Sequence, residues 1–389
     1  MKKGVVIGVI VGIVILGVFL FLFLNHDFES SDIDRSENNR LVSENEELII
    51  AEDNKKDCDL EFTEYLIDPL YVQKVGQVGV VHGFGKSIVE RSYISVKEEH
   101  YEKQILIYSP TDMTLISGAH YKDSNDQNYM ADYVLKFDAG CNVEVLLGHL
   151  KGVVDSIDNQ MMGLKNDSRE DMLKPIKFEA GDLIGYYYQQ SSGGVAGFDF
   201  IVRDRKIINQ FINQERYTNR RADNLISGVC PYDYYNGEKK EVYYNLLGGG
   251  GGTLFKVKNC GNSSRDVAGT ISGMWFLDKE IVGSIYDYYM DGDYGSPVSI
   301  VGDEERISIG NLGRQEPVIY IYSTNPTYKL PEEITKEHCY QKYQNFENSD
   351  SSGYVYFKVV DNSTIDVSFS SSGTCPGNFP SSGSKLYYK

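Results

Sequence analysis

The sequence has a single Trp, no CxxC, no HExxH and no HxH. Zinc-ribbon spacing and the commonest zinc-hydrolase signatures are therefore missing. Positive charge is scarce: 38 Lys and Arg stand against 56 Asp and Glu, a formal charge of -18. Phosphate binding needs clustered Lys and Arg, so nucleic acid is not the expected partner. Tight docking onto anionic headgroups is disfavoured for the same reason. Gly248–Gly252 is a run of glycines, but Thr253-Leu254-Phe255 follows where a phosphate-cradling loop needs Lys and Ser or Thr. It reads as a loop tip. What is plentiful is Tyr, at 30 residues. Tyr suits half-buried strands, and surfaces that touch glycans or proteins.

Uncharged, apolar sequence is concentrated at Gly4–Leu24, preceded by Lys2 and Lys3 and followed by Asp27, Glu29, Asp32 and Asp34. At about 1.5 Å per residue such a helix covers the ~30 Å hydrocarbon core. The charge asymmetry puts the N-terminus, residues 1–3, in the cytoplasm. A cleaved signal peptide would end in small residues before a cut. Here the run ends in Phe-Leu-Phe-Leu, and Asn25-His26 follows. The expectation is an uncleaved signal-anchor over 4–24, with the bulk of the chain outside the cytoplasm. Gly4, Gly8 and Gly12 share one helix face, a pattern common in membrane helices and compatible with close helix approach.

Residues 25–57 are rich in Asp, Glu, Ser and Asn and bury too little to fold alone. They read as an acidic tether, with a short helix possible at 44–51. From Cys58 onward, short apolar runs alternate with Gly, Asn, Asp and Ser. Gln104–Tyr108, Tyr133–Phe137, Val143–Leu147, Leu183–Tyr188 and Phe198–Val202 have strand length and chemistry. Met113–Thr114 and Gly118 read as turns. Arg205–Gln214 is the best helix candidate, on Ile207, Ile208, Phe211 and Ile212. Further strands are expected at Thr270–Leu277, Ser296–Val301, Arg306–Ile309, Pro317–Tyr322, Tyr354–Val359 and Ser363–Phe369. Ser381–Ser384 reads as a loose end. The fold expected is mostly β: an anchor helix, a β domain over 58–228 and a second β-rich domain over 229–389.

All six cysteines, Cys58, Cys141, Cys230, Cys260, Cys339 and Cys375, follow the apolar run. In an oxidising compartment an even number implies disulfides. Pairing Cys58 with Cys141, Cys230 with Cys260 and Cys339 with Cys375 keeps each bridge inside one proposed unit. Free, core-packed thiols are the alternative. The middle bridge would clamp the glycine run and stabilise by about 3 kcal/mol in the chain-entropy account. Asn166, Asn262 and Asn362 begin N-glycosylation triplets, which matter only in an organism that glycosylates exported proteins.

The histidines are His26, His82, His100, His120, His149 and His338. The informative stretch holds Ile107-Tyr108-Ser109-Pro110, then Leu147-Gly148-His149-Leu150. Phe178-Glu179-Ala180-Gly181-Asp182-Leu183-Ile184-Gly185 and Gly197-Phe198-Asp199-Phe200-Ile201-Val202-Arg203 follow. In order and spacing, roughly residues 65 to 205 resemble the lysostaphin/LytM-type zinc endopeptidases. That family has a duplicated-hybrid-motif fold, a twisted antiparallel sandwich. The resemblance implies a turn like Ser109-Pro110, a His-Leu strand end at His149 and a closing strand at 197–203. In the family, zinc is held by an early His-x-x-x-Asp and the second His of a late His-x-His. Here Asp199 stands where that His would be, and Gly197 replaces the other. His82 lies in the region of the early motif, but Lys86 sits four residues on, a cation where a carboxylate is needed. His149 matches a position that acts in catalysis.

The chain also resembles a degenerate exported version of this domain. That version has a closing strand like Phe198-Asp199-Phe200-Ile201-Val202-Arg203-Asp204, a Cys230-Pro231-Tyr232-Asp233-Tyr234 segment and a later element like Gly269-Thr270-Ile271-Ser272-Gly273-Met274-Trp275. Zinc hydrolysis wants three protein ligands and a water, and His82 with Asp199 gives two. The expectation is therefore a non-catalytic, membrane-anchored surface protein that needs no cofactor. It would keep the groove, with Asp204 and Tyr133 as candidate lining, for a cell-envelope glycan, peptide or surface protein. One alternative is a zinc peptidase or amidase with ligands from His82, His149, Asp199 and Asp204. Another is a structural subunit of a surface assembly. By alternation along the strand, Asp199 faces away from Phe198 and Phe200, toward solvent or the groove.

Overall fold

This computed structural model describes residues 58–81, 88–121, 132–164, 167–189, 197–217, 223–248, 259–277, 279, 298–303, 306–310, 312, 318–343 and 351–389. The anchor segment 4–24, the tether 25–57 with its possible helix at 44–51, His82 and most of the glycine run lie outside them. Among the described residues no helix is long and apolar enough to cross a membrane. The chain divides into two units between Asp57 and Cys58. All the described residues belong to the second, Cys58–Lys389.

The first twelve strands are β1 (Val72–Gly76), β2 (Ser92–Val96), β3 (Ile105–Tyr108), β4 (Met113–Tyr121), β5 (Asp132–Asp138), β6 (Val143–Leu150), β7 (Gly152–Val153), β8 (Asp167–Phe178), β9 (Leu183–Tyr187), β10 (Gly197–Asp204), β11 (Gly228–Val229) and β12 (Leu247–Gly248). The large sheet runs β12-β1-β2-β10-β6-β5-β4-β8, with β11 also on β10. A small sheet, β3-β9-β7, accompanies it. Pairing is antiparallel except for β12 on β1. Alternation sets most faces. In β5, Tyr133, Leu135 and Phe137 turn inward, while the residues between them are more exposed. β10 is central and buried along nearly its whole length, which accounts for its near-continuous apolar run.

Three short helices decorate these strands: α1 (Asp155–Met161), α2 (Asp223–Ser227) and α3 (Gly237–Asn245). The second group of strands is β13 (Gly273–Trp275), β14 (Val298–Gly302), β15 (Arg306–Gly310), β16 (Ile319–Tyr322), β17 (Glu337–Tyr343), β18 (Ser351–Asp361), β19 (Thr364–Ser370) and β20 (Lys385–Tyr388). They form two antiparallel sheets, β13-β14-β15-β16 and β17-β18-β19-β20. Their core centres on Trp275, Ile300, Ile309, Tyr340, Val355 and Phe357. The three disulfides are Cys58–Cys141, Cys230–Cys260 and Cys339–Cys375.

Four local expectations give way to tertiary structure. Met113, Thr114 and Gly118 are not turns but lie inside β4, where the missing side chain of Gly118 leaves room for Met161 of α1. Arg205–Gln214 is not helical, because its backbone donors go elsewhere: Asn209 N–H to the Ile226 carbonyl and Ile212 N–H to Asp266 across the fold, and Phe211 N–H to the nearby Gln214 Oε1. The stretch after Ser381–Ser384 is held as β20 against β19. The first core also runs past residue 228. Cys230, Tyr232, Tyr235, Tyr243, Leu247 and Cys260 all belong to it. Tyr234 and Tyr235 pack on Phe62, Tyr232 packs on Phe200, and Leu247 pairs with Val75. A third apolar cluster, with Phe211 and Tyr217 on one side and Met274 and Phe276 on the other, joins the two halves.

Candidate functional site

β10 lies between β2 and β6, and the register sets Asp199 opposite Tyr93 on one side and Gly148 on the other. A β-carbon on Gly148 would meet the Asp199 carboxylate at 3.1 Å. Glycine there leaves room for the acid. Gly197 is equally constrained, since a β-carbon would come within 2.1 Å of the Ile94 carbonyl. No side chain fits where the resemblance places the first His of the late motif.

His149 follows directly. Tyr133 pairs with Leu150 and Leu135 with Leu147, so β6 carries one residue more than β5 between these pairs. The extra residue makes a bulge, a device that re-aims a side chain. His149 sits in it at φ +64°, a region that costs a residue with a β-carbon about 1–2 kcal/mol. Strain of this kind concentrates at functional sites. Here it turns the imidazole between two carboxylates: Nδ1 lies 2.9 Å from Asp132 Oδ2 and Nε2 3.6 Å from Asp199 Oδ2.

Two fixed cations complete the cluster. Arg91 Nη1 donates to Asp199 Oδ2 at 2.6 Å, and Lys151 Nζ donates to Asp132 Oδ1 at 3.1 Å. The Asp199 side chain is 6% exposed and His149 is 45% exposed. The acid is thus the floor of the cluster and the imidazole its open edge. Tyr93 donates its hydroxyl to the Gly197 carbonyl at 2.7 Å. Burial first, then neighbouring negative groups including Asp199 and Asp132, raise its phenol and keep it protonated. The hydrogen bond to Asp132 raises the His149 pKa; burial opposes this and the Asp199 charge adds to it. Burial pushes Asp132 up, but His149 and Lys151 outweigh it and hold the acid below its ordinary range.

The other sequence candidates sit elsewhere. Asp204 is buried and accepts from the Tyr234 hydroxyl at 2.7 Å and from Lys206 N–H at 2.9 Å. An odd number of residues from Asp199, it faces the other side of β10. Its role is to tie the Cys-Pro-Tyr-Asp-Tyr segment to the sheet. Tyr133 points into the core with its ring on His120 at 4.7 Å and its hydroxyl on Asp158 at 2.8 Å. Neither contacts the His149–Asp199 cluster through these bonds. His82 lies outside the described residues. Arg91, Asp132 and Lys151 are the members that sequence reasoning missed. Lys151 stands two residues beyond His149 and Asp132 just before an expected strand, which are usable signals. Arg91 is 108 positions before Asp199 and carries none.

A zinc centre does not fit these side chains as placed. A cation already bonds the Asp199 carboxylate, and both His149 ring nitrogens face acids. Among the described residues no group of three or more His, Cys, Asp or Glu side chains is placed to hold a metal ion. The cluster instead offers fixed donors and acceptors of both charge signs on a half-open surface. The chain matches no protein-family model, no curated protein and no solved structure.

Proposed function

We propose that this is a membrane-anchored, extracytoplasmic surface protein whose first β domain is a degenerate LytM-like fold that binds rather than cleaves. Its groove, floored by Asp199 and edged by His149, takes a cell-envelope glycan, peptide or surface protein. The observation that carries this reading is the Arg91–Asp199 bond, since a guanidinium neutralises the acid that stands at the family's zinc-ligand position. The resemblance is supported by the meeting of His149 and Asp199, which it requires to share one site. Anchoring rests on Gly4–Leu24, and export on the disulfides and the charge flanking that run. A ligand rich in hydroxyls and amides suits the cluster, because Arg, Lys and His⁺ donate while Asp accepts.

The test is co-sedimentation of the full-length chain, in detergent, with purified envelope glycan carrying its peptides. The wild type is expected to pellet without releasing soluble fragments, and Arg91→Gln is expected to stay in solution. Release of fragments that stops with chelator would overturn the reading, as would equal pelleting of both proteins.

A further inference from the structure

The side chain of Lys389 runs into the protein. Its Nζ donates to the Ser272 carbonyl at 2.7 Å and to the Val267 carbonyl at 3.5 Å. The Trp275 ring centroid lies 4.3 Å from it. Asp266 Oδ1 is 3.6 Å away, and the two side chains are 1% and 2% exposed for Lys389 and Asp266 respectively. Both ends are held. Tyr388 and Phe276 exchange two backbone hydrogen bonds, and Lys389 N–H donates to the Ser363 carbonyl at 2.9 Å. Ile212 N–H donates to Asp266 Oδ2 at 3.0 Å and Met274 N–H to Oδ1 at 3.4 Å.

A sealed ion pair is an awkward arrangement, because the desolvation of both charges can exceed their attraction. Burial lowers the Lys389 pKa to about 8, against the pull of Asp266. Burial also raises Asp266, against the pull of Lys389 and the two backbone donors. Each group is driven toward its neutral form, which eases passage of a proton from the amine to the acid.

We propose that Lys389 and Asp266 condense into an intramolecular isopeptide bond. A proton passes from Nζ to Oδ1, and the freed lone pair attacks Cγ. The Nζ–Cγ bond forms and the Cγ–Oδ1 bond breaks. Oδ1 leaves as water, carrying the carboxyl proton and one further proton from the amine. Oδ2 remains as the amide oxygen. During the attack, charge on that oxygen is met by Ile212 N–H, a fixed donor of the oxyanion-hole kind. Holding the partners in contact replaces a bimolecular encounter, and the surroundings exclude the water that would reverse the step. No oxidant or cofactor is required, and two buried charges become one neutral amide. The bond ties the residue after β20 to the segment entering β13.

The test is intact mass of the reduced full-length chain, followed by peptide mapping. The wild type is expected one water lighter than its sequence, with a branched peptide joining Asp266 to Lys389. Lys389→Arg and Asp266→Ala are expected at full sequence mass. A wild type at full mass would overturn the proposal and leave a plain salt bridge. A missing water that persists in Lys389→Arg would overturn it too, by placing the loss elsewhere. Neither result depends on what the groove around His149 binds.

Discussion

At the end of β6, five ionisable side chains share a half-open surface; beside Trp275, two are sealed from water. Around His149 the charges are balanced in a network, with Arg91 on Asp199, Lys151 on Asp132 and the imidazole between the acids. Around Lys389 one cation meets one acid, and main-chain groups supply the rest. The first arrangement keeps water and ligand access and suits recognition. The second has no access, so its charges must be neutralised within the fold. Exposure, more than the number of charges, separates a site that can bind from one that can only react with itself.

The sharpest way to break this contrast is to remove one charged partner from each place. Asp266→Ala removes the cross-link and leaves a buried lysine without its acid, which alone should cost about 3–5 kcal/mol in denaturant unfolding. A loss under about 1 kcal/mol would show that the second site is as open as the first. In the open cluster, Arg91→Ala strands a buried carboxylate beside a half-exposed His. Its expected cost is about 1–2 kcal/mol of stability, along with loss of envelope binding.

A finer probe compares two replacements of His149. At φ +64°, His149→Gly should be more stable than His149→Ala by about 1 kcal/mol, while both lose binding. Equal stabilities would remove the strain from the account. The smallest effect is in titration. His149 should titrate above its ordinary 6.5 by NMR, and Asp132→Asn should bring it down. A raised pKa means that this contribution to stability is present below the unfolded value and fades as pH rises through the folded one. Asp132 is lowered, so its contribution is present above its unfolded value and fades as pH falls through its folded one. The pair is strongest between the two unfolded values and fades outside them, through the folded value on each side. An unchanged His149 in Asp132→Asn would contradict the assigned cause.

Much of this architecture is visible as local pattern. Period-two alternation marks β5 at Tyr133, Leu135 and Phe137, and the same logic turns Asp199 away from Phe198 and Phe200. The disulfide pairs follow from keeping each bridge within its own unit. What escapes is whatever tertiary contact decides. Gly118 resembles a turn until Met161 of α1 needs the space above it. Arg205–Gln214 has helical spacing, but two of its donors are claimed by Ile226 and Asp266. The aromatic Cys-Pro-Tyr-Asp-Tyr segment resembles the start of a domain, yet its rings complete the first core. The site was half legible. His149 and Asp199 stand out by their neighbours, whereas Arg91 reaches Asp199 only through the pairing of β2 with β10. Lys389 gave no sign at all, because nothing in a Tyr-Tyr-Lys run indicates that its lysine turns inward.

The most direct test of the groove's assignment is zinc content of the full-length chain, purified without chelators and measured by elemental analysis beside Asp199→Ala. If Arg91 neutralises Asp199 as the geometry indicates, the wild type carries no stoichiometric zinc and the variant is no different. Near one zinc per wild-type chain, lost in Asp199→Ala, would contradict the account and make the groove a metal centre.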